Sequence, residues 1–493
     1  MGMRYVGGPQ LARMLGDVPQ ERPYYVALAR AVRALVLDGR LAPRTRLPAE
    51  RDLAAALGVS RTTVTAAYDR LRDDGYVESR QGAGSWTALP PTSMSALAPR
   101  PATARQGAAD ERFGLAVAPT GVPGLIDLGC ATPAAPSIFE EAVAAAVAEL
   151  PRYSPGPGYE PAGLACLREV IADRYTGQGV PTRPDQIVVT SGAQHAFTLL
   201  TQTMLEPGAP VMVERPTYPH ALGALRRIGA RLVPVGVNEG WDMELVAGAL
   251  RQAAARMAYT VADFQNPTGL LMGEDDRAAL VDAARRADTL VVADETFAEL
   301  ALDPGAPRTP PMAAFDTGGR VVSIGSASKL MWGGLRVGWI RATAPLARRL
   351  VVAREPMDLS GSVLDQLIAR QLLLRVEEVR AERAAGLRLR RDALAGALRE
   401  LLPGWDFTPP EGGMSLWARL DAPVATLLSE TAERLGVRVV PGPVFGTDGV
   451  LEDRVRLPYV LPPDTLREAV GRLAVAYQEV RSAPPPRPLP AYV

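Results

Sequence analysis

The spacing of apolar positions changes several times along this 493-residue chain, and each change predicts a different kind of structure. From about residue 24 to 38, YVALARAVRALVLD carries apolar side chains at helical intervals. Pro48 opens a second helical stretch, AERDLAAAL, which Gly58 ends. Ser60 then stands as the N-cap of a third, RTTVTAAYDRLRDDG. GYVESRQGAGSWT predicts a two-stranded wing with Gly82 and Gly84 at its tip. Residues 88–125 are rich in Pro, Ala, Ser and Thr, hold no sustained period and read as a flexible linker. From 126 onward the apolar runs QIVVTSG, APVMVE, RLVPVGV, MAYTVADF, TLVVADE and RVVSIGS alternate with helix-length segments, which predicts a mostly parallel sheet in an α/β domain. After about 345 the pattern turns helical and returns to strands near GGMSLWARL and RVRLPYV, predicting a smaller C-terminal α+β subdomain. The expected organisation is a head at 20–87, a linker at 88–125, a large domain at 126–480 and a Pro-rich tail at 481–493.

Composition narrows the class. Apolar residues make up 47% and charged residues 22%, with zero formal net charge, which is globular usage. No apolar run approaches a membrane span, and MGMRYVGGPQLARMLGDVPQ lacks the apolar core of a signal peptide, so a cytoplasmic protein is expected. Cys130 and Cys166 form no metal spacing and imply no disulfide framework. Two histidines, His195 and His220, argue against a histidine-rich metal centre, and no metal is expected.

Lys329, in SIGSASKLMWGGLRVGW, is the only lysine, so the other 53 of 54 basic residues are arginine. A GC-rich genome accounts for the arginines but not for the place of the survivor. Arginine cannot replace lysine where a neutral primary amine must attack a carbonyl, because guanidinium stays protonated. Lys329 is therefore the candidate covalent, catalytic residue. Around it, Ser326, Ser328 and Arg336 suit a phosphate-bearing aldehyde. TSGAQHAF, a strand running into a helix start, offers a second phosphate seat, weak when taken alone. FQNPTG sets Asn266 in a turn, LVVADETF sets Asp294 at a strand end, and Tyr218 in ERPTYPH can stack on a flat ring. Each has a structural alternative as turn former, cap or core residue. One cofactor, pyridoxal 5′-phosphate, needs the whole set.

The head reads as helix-turn-helix plus wing, with Arg61, Thr62 and Thr63 at the start of the helix that would enter a major groove. Arg51 and Gly82 complete the expected DNA-contacting set. Residues 1–87 hold 13 Arg against 9 Asp and Glu, a modest +4. RLPAERDLAAALGVSRTTVTAAYDRLRDDGYV followed by QGAGSW closely resembles the GntR-type winged helix-turn-helix, with Ala49 standing where serine is common. From about 126 to 480, YSPGPGYEPAGLACLREVIADRY, TSGAQHA, ERPTYP, QNPTG, ADETF, SASKLMWGGLRVGW, EGGMSLW, VVPGPVFG and RVRLPYV resemble a fold-type I, class I/II aminotransferase.

That resemblance implies an internal aldimine at Lys329, a pyridine partner in Asp294, Asn266 on the cofactor 3′-oxygen and Tyr218 on the ring. It further implies phosphate contacts from Ala193, Gln194, Ser326, Ser328 and Arg336. Tyr153 matches a tyrosine that reaches the neighbouring subunit's phosphate, implying a dimer, and Arg456 matches the arginine that binds an amino acid carboxylate. Phe297 departs from the pattern: the enzymes commonly carry a tyrosine there that bonds the 3′-oxygen. Either Thr296 or a water takes over that bond, or full transamination is impaired.

The order of modules resembles the MocR/GabR regulators. It implies an operator-binding homodimer, found on the nucleoid when bound, whose aminotransferase-like domain senses a small amino compound by aldimine exchange at Lys329. An active aminotransferase with a DNA-binding head, or a regulator of pyridoxal phosphate itself, are the competing expectations. Sustained turnover is not expected, with residual or half transamination left open as the alternative.

Overall fold

The computed structural model of the chain describes residues 5–16, 23–80, 84–88, 124–303 and 309–482. Gly82, nearly all of the expected linker and nearly all of the tail lie outside these residues.

The head contains α1 (Gly8–Leu15), α2 (Tyr24–Leu37), α3 (Glu50–Leu57) and α4 (Arg61–Asp73), then the antiparallel pair β1 (Val77–Arg80) and β2 (Gly84–Thr87). Local chemistry sets the boundaries. Gly58 takes the left-handed conformation, φ 67°, and stops α3. Ser60 Oγ accepts from the Thr63 amide at 3.1 Å and starts α4. Ala49 gives α3 no side-chain cap, and Glu50 and Asp52 in its first turn supply the negative charge a helix start favours. Leu28, Val32, Leu53 and Val64 are fully buried at the centre. α1 precedes the expected head and adds to it, burying Leu11 and packing on α3.

The body opens with β3 (Ile126–Asp127) and continues through β4 (Ile187–Thr190), β5 (Pro210–Arg215), β6 (Arg231–Gly236), β7 (Met257–Thr260), β8 (Leu290–Asp294), β9 (Val321–Ser326) and β10 (Gly338–Arg341). The last seven form one sheet in the order β4-β10-β9-β8-β7-β5-β6, parallel except for β10, which is antiparallel to both neighbours. Strands such as β4 and β7 are buried at every position, as expected where helices cover both faces. β6 lies at the edge, where Pro234 removes no bond the sheet needs. The carboxyl ends of the parallel strands share one edge, and their loops build the crevice there.

The smaller subdomain holds β11 (Ser415–Arg419), β12 (Val437–Arg438), β13 (Val440–Pro441) and β14 (Arg454–Pro458). β11, β14 and β13 form an antiparallel sheet, while β12 pairs in parallel with β3 and stitches the start of the body to its end. Helices Val376–Leu401 and Pro463–Ser482 pack together beside it. Among the described residues no helix is long and apolar enough to cross a membrane.

Candidate functional site

Lys329 follows β9, and its Nζ donates to the Ala131 carbonyl at 2.7 Å and to Thr132 Oγ1 at 3.3 Å. Burial pushes the amine's pKa down to about 8, and Arg456 pushes the same way against the opposing pull of Cys130 and Asp294. A primary amine in this state is a competent nucleophile near neutral pH. The Phe297 ring centroid lies 5.9 Å from Nζ.

Asp294 ends β8 and is held from two sides. Tyr259 Oη donates to Oδ2 at 2.6 Å, and the Thr296 amide donates to Oδ1 at 3.0 Å. The tyrosine is in turn fixed on β7 against Phe197, with ring centroids 4.8 Å apart. Burial and the Asp294 charge raise the phenol's pKa well above its usual value, so it remains a donor. Asn266 sits in the loop after β7, which Gln265 anchors by donating to Glu214 Oε2 at 3.0 Å and to the Pro216 carbonyl at 2.7 Å. Glu214 is wholly interior, and burial pushes its carboxyl up to about 7 against the donors that surround it. Tyr218 begins helix Pro219–Arg227; burial, then the nearby Asp294, raises its phenol's pKa.

A second group of residues gathers chemistry that suits an anion. Helix Ala193–Met204 starts after Gly192, whose φ of 91° suits glycine. A Cβ on Gly338 would lie 2.6 Å from the Gly192 carbonyl carbon, so the turn and β10 need glycine to approach this closely. Arg336 Nη2 donates to the Ser191 carbonyl at 2.9 Å, which holds the guanidinium beside the helix start. Gln194 Nε2 donates to the His220 carbonyl at 3.3 Å, and the Ser328 amide donates to Ser326 Oγ at 3.1 Å. Helix amides, two hydroxyls and a guanidinium make a natural phosphate seat.

Arg456, on β14, is 5% exposed. It donates through Nη2 to the Gly129 carbonyl and through Nη1 to Asn266 Oδ1 at 3.5 Å, and lies 5.1 Å above the Phe445 ring. Its Nε finds no acceptor among the described residues. Burial pushes its pKa down to about 10. Tyr153 stands apart, its hydroxyl 3.4 Å from Cys166 Sγ. Sequence reasoning did not single out Tyr259 or the Gly129–Thr132 segment; no local pattern marks a strand tyrosine as an aspartate's partner. A cavity of about 740 Å3 adjoins the crevice through Thr296 and Ser326, with Glu295, Glu299 and Arg174 in its walls, and does not include Lys329.

The donor set fits pyridoxal phosphate on the geometry alone: a depressed amine, a braced carboxylate, an interior tyrosine and a separate anion seat. On the head, Arg61 and Thr62 are exposed at the start of α4, and Arg61 pairs with Glu50 at 3.3 Å. Arg51 is 82% exposed beside Asp52.

Residues 140–473 match the family model for aminotransferase class I and II, and residues 24–86 match that for bacterial regulatory proteins of the gntR family. The chain is 29% identical to the probable rhizopine catabolism regulatory protein MocR of Rhizobium meliloti, covering 95% of each. It is 32% identical to aromatic-amino-acid aminotransferase 1 of Thermococcus litoralis, over 69% of this chain and 83% of that one. Among solved structures, the α-aminoadipate aminotransferase LysN from Thermus thermophilus, complexed with N-(5′-phosphopyridoxyl)-L-leucine, superposes with a TM-score of 0.68 at 28% identity, covering 76% of this chain and 99% of that one.

Proposed function

The chain belongs to the aminotransferase class I and II family and, with its GntR-type head, is a pyridoxal-phosphate-dependent transcription regulator of the MocR type; we propose that its body senses a small amino compound that carries a carboxylate. The observation behind this reading is Arg456, an interior guanidinium that no carboxylate partners among the described residues. An interior charge with no carboxylate in contact is costly, and a ligand carboxylate would relieve it. Lys329 donates to the Ala131 carbonyl and Arg456 to the Gly129 carbonyl of the same short segment, so one ligand would present its amine to the first and its carboxylate to the second.

Bound pyridoxal phosphate supplies an aldehyde that condenses reversibly with primary amines and a ring that draws electrons. Asp294, braced by Tyr259, would keep a proton on the pyridine nitrogen, and Tyr218 would cover the ring. Asn266 would meet the 3′-oxygen. Ala193, Gln194, Ser326, Ser328 and Arg336 would hold the phosphate. Lys329 Nζ would be the amine that holds the aldehyde, and a ligand's amine would compete with it for that group. Phe297 offers no hydroxyl at the 3′-oxygen, which favours sensing over turnover. Tyr153 would serve the neighbouring subunit, so the working unit is a homodimer. Arg51, Arg61, Thr62 and Thr63 would hold the operator.

A screen of amino compounds, followed by visible absorbance and operator binding together, tests the reading. Carboxylate-bearing amines should change both signals in wild type and neither in Arg456→Gln. Continued release of a keto acid would replace sensing by turnover, and a response blind to Arg456→Gln would remove the carboxylate from the ligand.

A further inference from the structure

The loop that leaves α2 of the head rests on the body of its own chain, and the contact is close-packed. Leu451 donates its amide to the Leu37 carbonyl at 3.0 Å. Gly39 approaches Arg215 so nearly that an added Cβ would lie 2.3 Å from Nε, and a Cβ on Gly236 would meet Arg40 Cγ at 3.0 Å. Arg215 and Gly236 are register partners on β5 and β6. Each side therefore carries a glycine where the other presents an arginine. Arg40 also pairs with Glu239 at 2.8 Å.

Within this contact Asp38 is only 4% exposed and accepts from Arg454 Nη2 at 3.1 Å and from Asn238 Nδ2 at 3.2 Å. Asn238 Oδ1 accepts from Trp417 Nε1 at 2.8 Å. Trp417 is the cross-strand partner of Arg456 in the β11–β14 pair. Both side chains share Phe445: its ring is 5.5 Å from Trp417 in edge contact and 5.1 Å beneath the Arg456 guanidinium. The chain of contacts runs without a gap from the carboxylate-binding arginine to the head.

We propose that the Asp38 loop and the Asn238–Trp417 pair form a docking surface for the DNA-binding head, one that positions the head according to the state of Arg456. This deepens the sensing reading above and rests on it. A carboxylate drawing Arg456 off Gly129 and Asn266 would shift the cation from its place over Phe445 and, through that shared ring, unseat the indole N–H. Asn238 then loses its anchor, and Asp38 loses one of its donors in a site closed to water, where a missing partner is costly. Since Asp38 caps α2 and α2 packs directly on α4, the loop's position is the recognition helix's position.

Amide exchange and operator titration on the full-length, cofactor-loaded protein test this, using a duplex selected in vitro by the wild type. Trp417→Phe removes the N–H donor and keeps an aromatic side chain beside Phe445, with some loss of buried volume; Asn238→Leu, which removes the acceptor and leaves the indole in place, is the second variant and separates the lost hydrogen bond from the lost volume. Either should speed exchange at Leu451, Gly39 and Leu41 by about tenfold, leave Val64 and Leu71 unchanged, and shift operator affinity by about fivefold or more. Arg456→Gln should do the same, and should add nothing in the Trp417→Phe background. Wild-type exchange at Leu451 or wild-type operator affinity in a cofactor-loaded Trp417→Phe protein overturns the proposal while leaving the sensing reading intact. A wild-type protein that takes up no cofactor would overturn the sensing reading itself.

Discussion

Lys329 is useful because two demands that usually conflict meet in one side chain. It must be buried enough to shed its proton, yet keep enough exposure for an aldehyde to reach it; Lys329 is half-buried. Burial lowers its pKa from the usual lysine value to about 8, so capture of pyridoxal phosphate by the apoprotein should accelerate as pH rises through about 8. Below that point the rate should drop about tenfold per pH unit as the neutral amine is depleted. Stability follows the same sign: between about 8 and 10.5 the unfolded lysine keeps a proton the folded one has lost, so the fold gains stability as pH climbs through that window. Stopped-flow absorbance checks the first trend. Lys329→Arg should fold, keep its charge and show no cofactor band at any pH.

At the scale of elements, α4 depends on its first turn. Ser60 holds the Thr63 amide and also meets the Thr62 and Thr63 hydroxyls at 2.8 and 2.7 Å, so one residue orders the surface expected to meet DNA. Ser60→Ala should cost the head about 1 kcal/mol, seen as a lower urea midpoint for its unfolding. The caps, the period-3.6 helices and the buried parallel strands were legible in the sequence because short-range chemistry fixes them. The residues around Lys329 were legible through their motifs. Tyr259, the Gly129–Thr132 segment and the Asp38–Asn238–Trp417 chain were not, because each contact joins residues far apart in sequence and no local pattern records it. α1 escaped for a different reason: eight residues with one fully buried leucine leave too short a period to recognise.

Over the whole molecule, charge is divided: residues 1–87 carry +4 in a chain of zero net charge. Operator binding should therefore weaken with salt, and Arg61→Ala should lower affinity and shallow the log–log salt slope by about 1 if that side chain meets a phosphate. The cofactor's visible absorbance should stay as in wild type, since Arg61 and Lys329 lie in separate modules; filter binding at several salt concentrations, beside a spectrum, reads both.

A single ε-amine in the entire polypeptide also makes the protein an unusual target for reagents and modifying enzymes. Acetyl donors, ubiquitin-type conjugation and amine-directed cross-linkers find no surface lysine to attack. Apart from a chain terminus, their only acceptor is the amine proposed to hold the cofactor, so labelling at 329 should fall as pyridoxal phosphate is added.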